Sequence, residues 1–489
     1  MKIFDLMAFI IEQIHKAPIS DTDIIREFGQ VQNSYKLSPK YTMASVHLHA
    51  LKIELECTHT ANMKSNHITS ILPLVEQMCI DADYTSLVWV LQSLDDILPI
   101  LDIEDYFEDP IEDSNIIISL NSNCTDIILL PNVSVYSPFH TSIEKLQYSI
   151  NGLLRKIKVI FTEDLGDHPF KAYYLKTKTF KRNPFIVAGS AVSNKYGLHA
   201  TYNSHDNKRL MSPVTTLLDV KVFENQLLHI LDFADKSECA VLAMPELAFT
   251  KEFNDHFVEE LKSLNFMSLR IIALPTYYDF QSHKNVGAVY STEHKRVLFS
   301  QEKTFPFDSA DYTISLDKPS KAFSEWLTPP SEINLLCTHG VGGIIFPICK
   351  DILMEEYRNL CKALYTKVAI IRAFSCSSPN QFMAALGGLD AIHCSSFCIN
   401  GCGGINFDNS ADEYKYPERF VCLRRNLDFS LVKDLKPVFC PKECDTCLHY
   451  FTANTYKDRN KLIWGYSNDE YEHETTPDVQ HHYTSALRT

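Results

Sequence analysis

Residues after about 205 alternate between helical and strand-like patterns, and this alternation constrains the fold more than any other feature of the sequence. Apolar residues recur with helical periodicity at 220–237 and 252–264. Short apolar runs flanked by turn residues lie at 240–244 and 269–278, as expected of buried strands. Strands that alternate with helices are typical of a sheet covered by helices. The sequence therefore predicts an α/β domain over residues 205–432.

Helical periodicity dominates the N-terminal segment instead. The apolar side chains that share one face of the first predicted helix are Phe4, Met7, Ala8, Ile11 and Ile14. An acid-rich stretch that ends at Pro110 marks a candidate boundary. We expect a mainly helical domain at residues 1–113, which is either a bundle or a helical-repeat adaptor and which offers a surface for a protein partner.

Residues 114–204 contain short β-branched runs and predict a small α/β connector. Lysine, arginine and aromatic residues are interleaved at 155–182, a combination that can hold a nucleic-acid single strand. The whole chain carries a formal charge of -15, which opposes broad electrostatic binding to nucleic acid or to an anionic membrane. We therefore interpret 155–182 as a solvated surface and expect no nucleic-acid partner.

The cysteines and the N-terminus indicate the cellular compartment. The 15 cysteines are scattered without a disulfide framework, which favours reduced thiols. Asp5 and Glu12 interrupt the apolar N-terminal run, so it predicts an amphipathic helix and not a cleaved leader. No run approaches the roughly 18 consecutive apolar residues of a membrane span. We expect a cytoplasmic protein with no membrane association.

Three strings place reactive side chains at the ends of predicted strands. AVLAMPELAF contains Glu246, VLFSQEKTFPF contains Lys303, and GVGGIIFPICKDILMEEYR contains Cys349. A carboxylate can accept the proton of a thiol, and a nearby cation favours the thiolate, which is the nucleophilic form. Each string alone is a weak signal. Together they predict a catalytic triad over a shared cleft.

In their order and context these strings resemble the nitrilase, or carbon-nitrogen hydrolase, superfamily. The third string keeps the Cys-x-Asp and Glu-x-x-Arg pattern of that superfamily through Asp351 and Arg358, and Asn285 resembles its recurrent Asn before the hairpin. The resemblance covers residues 205–432. It implies a four-layer α-β-β-α sandwich that often pairs through a helix face as a homodimer, and it implies no cofactor.

The sequence departs from the family pattern at two places. Many members place a second Glu soon after the Lys, whereas QEKTFPFDSADY offers only Asp308 and Asp311 as nearby acids. We expect Asp308 to take that role with a shorter reach. Lys350 stands where an aromatic residue is common. Its backbone N–H is expected to join Lys303 in stabilising negative charge on the substrate.

The resemblance implies hydrolysis of a non-peptide carbon-nitrogen bond in a small molecule, through a thioester on Cys349. An amide or carbamoyl group is a better candidate than a nitrile, because amidases are the commoner branch. The alternative is an inactive or regulatory nitrilase-like protein, which senses a small molecule or binds a protein partner, for example in a bacterial defence system.

Residues 433–489 are interpreted as a C-terminal extension with a cysteine cluster. The cluster contains residue types that can bind zinc, namely Cys440, Cys444, Cys447 and His449. It lacks the separated second pair of a typical zinc site. We therefore expect a loop of reduced thiols and no metal.

Overall fold

A computed structural model describes most of the chain with gaps, and the statements that follow concern the described residues. These are 3–31, 38–58, 64–98, 116–117, 127–131, 150–154, 156–165, 170–175, 186–192, 196–205, 208–217, 219–308, 324–338, 341–364, 366–374, 379–389, 394–401, 405–406, 420–425, 433–434, 438–439, 447–452 and 480–483.

The chain divides into two compact units, and the first is formed mainly by Met1–Asp167. Its helices are α1 (Ile3–His15), α2 (Asp21–Val31), α3 (Pro39–Thr58), α4 (Asn66–Ile80), α5 (Tyr84–Ile97) and α6 (Ile150–Leu153). Its strands are β1 (Ile116–Ile117), β2 (Ile127–Pro131), β3 (Ile157–Phe161) and β4 (Phe170–Leu175). No helix in the described ranges is both long and apolar enough to cross a membrane.

The first unit is built around a continuous apolar core contributed by all five long helices. Leu51 of α3, Val75 of α4 and Leu91 of α5 are fully buried in it. Ser65 caps α4 and Asp83 caps α5 by accepting backbone N–H bonds, which satisfies donors left free in the first helical turn.

The second unit contains the remaining elements. Its strands begin with β5 (Ile186–Gly189), β6 (Tyr196–His205), β7 (Lys208–Leu217), β8 (Val241–Ala243), β9 (Ile271–Ala273), β10 (Tyr277–Asp279), β11 (Lys284–Ser291) and β12 (Arg296–Glu302). They continue with β13 (Ser324–Glu325), β14 (Ile333–Thr338), β15 (Gly342–Ile345), β16 (Thr366–Ala373), β17 (Ser395–Asn400), β18 (Ile405–Asn406) and β19 (Phe420–Arg425). The last are β20 (Lys433–Asp434), β21 (Val438–Phe439), β22 (Cys447–Thr452) and β23 (Gln480–Tyr483). The helices are α7 (Val220–Lys236), α8 (Lys251–Ser263), α9 (Glu355–Ala363) and α10 (Pro379–Gly387).

Two sheets of the second unit position the residues discussed below. Sheet A has the order β10-β11-β9-β8-β5-β22-β23, and β12 pairs with β11. Sheet B contains the run β14-β15-β16-β17-β19-β20, with β21 also paired to β19. Neighbours β5, β8 and β9 are parallel, and so are β15, β16 and β17. A smaller sheet has the order β13-β7-β6-β18.

Sheets A and B approach each other closely at two glycines. A Cβ atom on Gly189 of β5 would lie 2.4 Å from Cγ1 of Ile399 in β17, and one on Gly287 of β11 would lie 2.0 Å from Nη1 of Arg372 in β16. On its other side sheet A packs against α7 and α8 through an apolar cluster that includes Phe223 and Phe257. A side chain at either glycine would therefore have to displace the side chains packed between the two sheets.

The sheets extend beyond the boundaries expected from the sequence. Strand β5, assigned from sequence to the 114–204 connector, pairs with β8 inside sheet A. Strand β22, assigned to the 433–489 extension, pairs with β5. The reason is that a run of four residues such as IVAG identifies a strand but not its partners, which are decided by tertiary packing.

Candidate active site

Glu246 lies just after β8, at a turn that directs its carboxylate into the interior. The next residue, Leu247, has a φ of 54°. Oε1 of Glu246 accepts hydrogen bonds from Nδ2 of Asn285 at 2.7 Å and from Nζ of Lys303 at 2.9 Å. Oε2 accepts the backbone N–H of Phe374 at 2.9 Å. Both oxygens of this buried carboxylate are thus held by donors.

Lys303 follows β12 and is 3% exposed. Its backbone N–H donates to the carbonyl of Asn285 at 2.9 Å, which fixes the residue at the end of the β11–β12 hairpin. Its ammonium donates to Oε1 of Glu246 at 2.9 Å and to Oε2 of Glu325 at 2.7 Å. An ammonium has three donors, and the described residues supply acceptors for two of them.

Cys349 begins a short 3-10 helix, Cys349–Leu353, that follows β15. Its φ is 48°, in the left-handed region that residues with a Cβ rarely adopt. The residue is 5% exposed, and Sγ has a long contact of 3.9 Å with the carbonyl of Phe374. Strained backbone conformations of this kind cluster at functional sites, because the surrounding structure has to hold them.

The charges of the three groups depend on one another. Burial raises the pKa of the Cys349 thiol, Glu246 raises it further, and Lys303 opposes that change. Burial also raises the pKa of Glu246, and Lys303 partly offsets this. Burial acts to lower the pKa of Lys303, but Glu246 and Glu325 outweigh it, so the net direction is upward. Burial and the neighbouring carboxylate thus favour the neutral thiol of Cys349, whereas the two carboxylates favour the charged form of Lys303.

Asp351 and Arg358 hold the turn that carries Cys349. Oδ1 of Asp351 accepts the backbone N–H groups of Thr304 and Phe305, each at 2.9 Å, and Oδ2 accepts that of Ile348 at 3.1 Å. The segment after Lys303 is thereby bound to the cysteine turn. Nη1 of Arg358 donates to carbonyls of the 3-10 helix, at 3.0 Å for Ile352.

The other residues predicted from sequence to take part in a site are divided between the region around Glu246 and Cys349, other strands, and undescribed parts of the chain. Asn285 lies in the site, where its side chain donates to Glu246. Lys350 is the second residue of the 3-10 helix that Cys349 begins. Asp308 forms an isolated antiparallel bridge with Ser324. The residues that fall outside the described part of the chain are Asp311, Cys440 and Cys444. Cys447 and His449 lie in β22, and within the described ranges no group of three His, Cys, Asp or Glu residues could hold a metal ion.

Glu325, a second carboxylate that contacts Lys303, was not predicted from the sequence. Glu325 lies in β13, and Oε2 also accepts the backbone N–H of Phe307 at 3.0 Å. Among the described residues, the carboxylates that accept from the Lys303 ammonium are those of Glu246 and Glu325. Glu325 stands 22 residues after Lys303, too far along the chain for a spacing argument. The available signal was an acid flanked by aromatic residues in FSEW.

Comparison with solved structures finds several similar folds. The NitFhit protein of C. elegans is 12% identical with a TM-score of 0.35, and the match covers 55% of this chain and 61% of that chain. A glutamine-dependent NAD+ synthetase from Acinetobacter baumannii is 13% identical with a TM-score of 0.37, covering 55% and 46%. An amidase from Nesterenkonia sp. is 12% identical with a TM-score of 0.32, covering 55% and 94%.

These neighbours are members of the nitrilase superfamily. They match about half of this chain, and the match spans less than two thirds of NitFhit and of the NAD+ synthetase. No protein-family model matches the sequence, and comparison with curated proteins gives no match.

Proposed function

We propose that this chain hydrolyses a non-peptide carbon-nitrogen bond in a small molecule, an amide or carbamoyl compound in preference to a nitrile. The observation that supports this most is the convergence of a thiol, an ammonium and a carboxylate in one buried site. In this proposal the second unit is a four-layer α-β-β-α sandwich, and the first unit is a mainly helical N-terminal domain.

Cys349 is the nucleophile of the proposed reaction. Glu246 takes the thiol proton as Sγ attacks the carbonyl carbon, and negative charge moves onto the carbonyl oxygen. The third N–H of the Lys303 ammonium, which has no acceptor among the described residues, and the backbone N–H of Lys350 donate to that oxygen. The carbon-nitrogen bond then breaks, and Glu246 gives its proton to the departing nitrogen. A thioester on Cys349 remains.

Water completes the cycle. Glu246 removes a proton from a water molecule that attacks the thioester carbon, and the thiol leaves with that proton. The product is a carboxylic acid, or a carbamic acid from a carbamoyl substrate. The close hydrogen bonding of Glu246 suits both steps, because one carboxylate must accept and return a proton without moving.

Glu325 has two roles in this proposal. It holds the Lys303 ammonium through Oε2, so that the third N–H bond points in a fixed direction. Its Oε1 is buried and accepts no hydrogen bond from the described part of the chain. A buried acceptor without a donor is costly, and the amino group of a bound primary amide would supply one.

The test is intact mass spectrometry with a panel of small amides, carbamoyl compounds and an electrophilic thiol probe. The wild type is compared with Cys349→Ala and with a matched control, Cys239→Ala, which removes another buried thiol of the second unit. We expect an adduct in the wild type and the control that is absent from Cys349→Ala. Labelling of Cys349 no faster than of the other cysteines would contradict the proposal and favour a sensor or binding protein.

A further inference from the structure

The candidate active site is divided between two sheets. Glu246 and Lys303 follow strands of sheet A, whereas Cys349 follows a strand of sheet B. The distance between the two sheets therefore sets the distance from the thiol to its carboxylate and ammonium. A shift of about 1 Å in such a site can cost two orders of magnitude in rate, so contacts that fix the spacing matter for catalysis.

Arg372 spans this gap. It lies in β16 of sheet B, and its side chain is fully buried. Nη1 donates to the carbonyl of Leu274, directly after β9 of sheet A, at 3.0 Å. Nη2 is 3.4 Å from the carbonyl of Phe346, which precedes the cysteine turn. One planar guanidinium thus contacts the backbone on both sides of the site.

The surroundings of Arg372 indicate that its position is constrained. None of the ion pairs found in the described residues includes Arg372, so its charge is compensated by carbonyl groups and not by a contacting carboxylate. Gly287 leaves the space that the guanidinium occupies, since a Cβ there would be 2.0 Å from Nη1. Burying a cation without a paired anion is expensive. Burial accordingly lowers the pKa of Arg372 to about 10.

Arg372 is also connected to the reacting groups through its own strand. Its backbone N–H donates to the carbonyl of Pro347 at 3.1 Å, and Ile348 pairs with it in a parallel bridge. Two residues later in the chain, the backbone N–H of Phe374 donates to Oε2 of Glu246, and the carbonyl of Phe374 contacts Sγ of Cys349. A displacement of Arg372 would therefore reach both the nucleophile and the base.

We propose that Arg372 is a positioning residue that fixes the spacing between sheets A and B and thereby the geometry of Cys349 relative to Glu246 and Lys303. This inference rests on the proposed function. Leu274, Phe346 and the cavity provided by Gly287 define the position that the guanidinium must take.

Two variants disturb this position in different ways, and a third is a matched control. Arg372→Met removes the charge and the hydrogen bonds. Gly287→Ala keeps the arginine but places a methyl group where Nη1 lies. Arg270→Met is the control, because Arg270 also donates to main-chain carbonyls, those of Phe266 and Met267, but these belong to its own turn.

The first readout is the pH dependence of Cys349 alkylation by iodoacetamide, mapped by peptide mass spectrometry on protein that remains folded. We expect Arg372→Met and Gly287→Ala to move the midpoint upward by about one pH unit, because the Lys303 ammonium would stabilise the thiolate less at a larger separation. Arg270→Met should leave the midpoint unchanged. A shift in Arg372→Met alone would mean that only the charge matters, and it would overturn the positioning role.

The second readout does not depend on a reactive thiol. Hydrogen exchange of the Phe374 amide, which donates across to Glu246, should become faster in Arg372→Met and Gly287→Ala but not in Arg270→Met. If neither variant changes the exchange rate of the Phe374 amide or the pH midpoint of Cys349 alkylation, Arg372 does not position the site and the proposal is overturned. If wild-type Cys349 is unreactive while exchange still responds as expected, the proposed function fails and the inference about spacing stands.

Discussion

Glu325 and Asp308 make different contacts in the structure. Glu325 contacts Lys303 at 2.7 Å, whereas Asp308 bridges Ser324. We expect Glu325→Gln to lower kcat/KM about 100-fold on whichever amide the panel identifies, because an amide holds an ammonium less firmly than a carboxylate does. Steady-state kinetics of the purified variant measures this loss.

Asp308→Asn is the matched comparison for that prediction. It removes one carboxylate from the same segment without touching the bonds of Lys303, so we expect a change of less than about twofold in kcat/KM. The reverse ranking of the two variants would favour Asp308 as the second acid, as the sequence predicted.

Asp351 gives a prediction about pH and stability. Burial raises the pKa of this carboxyl to about 7, against about 3.9 in an unfolded chain. Between these values the folded protein holds a proton that the unfolded chain has released. The contribution of Asp351 to the free energy of unfolding is therefore full below about pH 4 and is lost as the pH rises towards about 7.

We expect Asp351→Asn to flatten the fall in the free energy of unfolding over that pH range, as measured by urea denaturation at several pH values. Asp279→Asn is the control, since hydrogen bonds from Gln281 and Ser282 lower the pKa of Asp279 against a raising effect of burial, which gives a contribution of opposite sign. An identical pH slope in the wild type and Asp351→Asn would contradict the assignment.

The three residues of the proposed triad could be singled out from sequence because each follows a strand closely. Glu246 and Cys349 follow buried apolar strands, and Lys303 directly follows the second arm of a predicted hairpin, so local pattern and residue type single them out. Glu325 and Arg372 lack this property. The contact of Glu325 with Lys303 forms only when the chain folds and β13 packs beside Lys303. In the sequence, Arg372 is one charged residue near the end of a predicted strand.

At the scale of single elements, α3 shows how one helix serves two environments. Leu51 is fully buried in the core of the first unit, whereas Val46 on the same helix is 67% exposed. We expect Leu51→Ala to lower the free energy of unfolding by about 2–5 kcal/mol, because a cavity remains in a packed core.

Val46→Ala is the control from the same helix, and its effect should stay within about 0.5 kcal/mol. Denaturant unfolding followed by circular dichroism measures both variants. Equal losses from the two substitutions would mean that the Val46 face of α3 is covered by another surface in solution.

Strand identity was easier to predict than strand pairing. The runs at β8, β9 and β15 were predicted from composition and flanking turns, and the structure places strands there. The pairing of β5 between β8 and β22 was not predicted. Parallel pairing joins segments that are distant in sequence, and periodicity carries no information about such partners.

At the scale of the whole chain, sheet A is completed by segments from widely separated positions. Strand β5 precedes the predicted α/β domain, and β22 follows it, yet each lies within the sheet. Every backbone N–H and C=O of a buried strand needs a partner. We therefore expect the boundary that matters for stability to lie beyond β22, whereas the sequence predicted residue 432.

Two truncations test this boundary. A chain ending at residue 432 loses β22, which leaves the backbone of β5 unpaired on one side, and it also loses β20 and β21 from sheet B. A chain ending at residue 452 keeps these strands and loses β23, whose one partner among the described strands is β22. We expect the first truncation to lower the Tm by at least about 5 °C relative to the second, since each lost kcal/mol shifts a unit of this size by about 2–4 °C. Thermal unfolding followed by circular dichroism measures both Tm values. Equal Tm values for the two truncations would contradict this prediction.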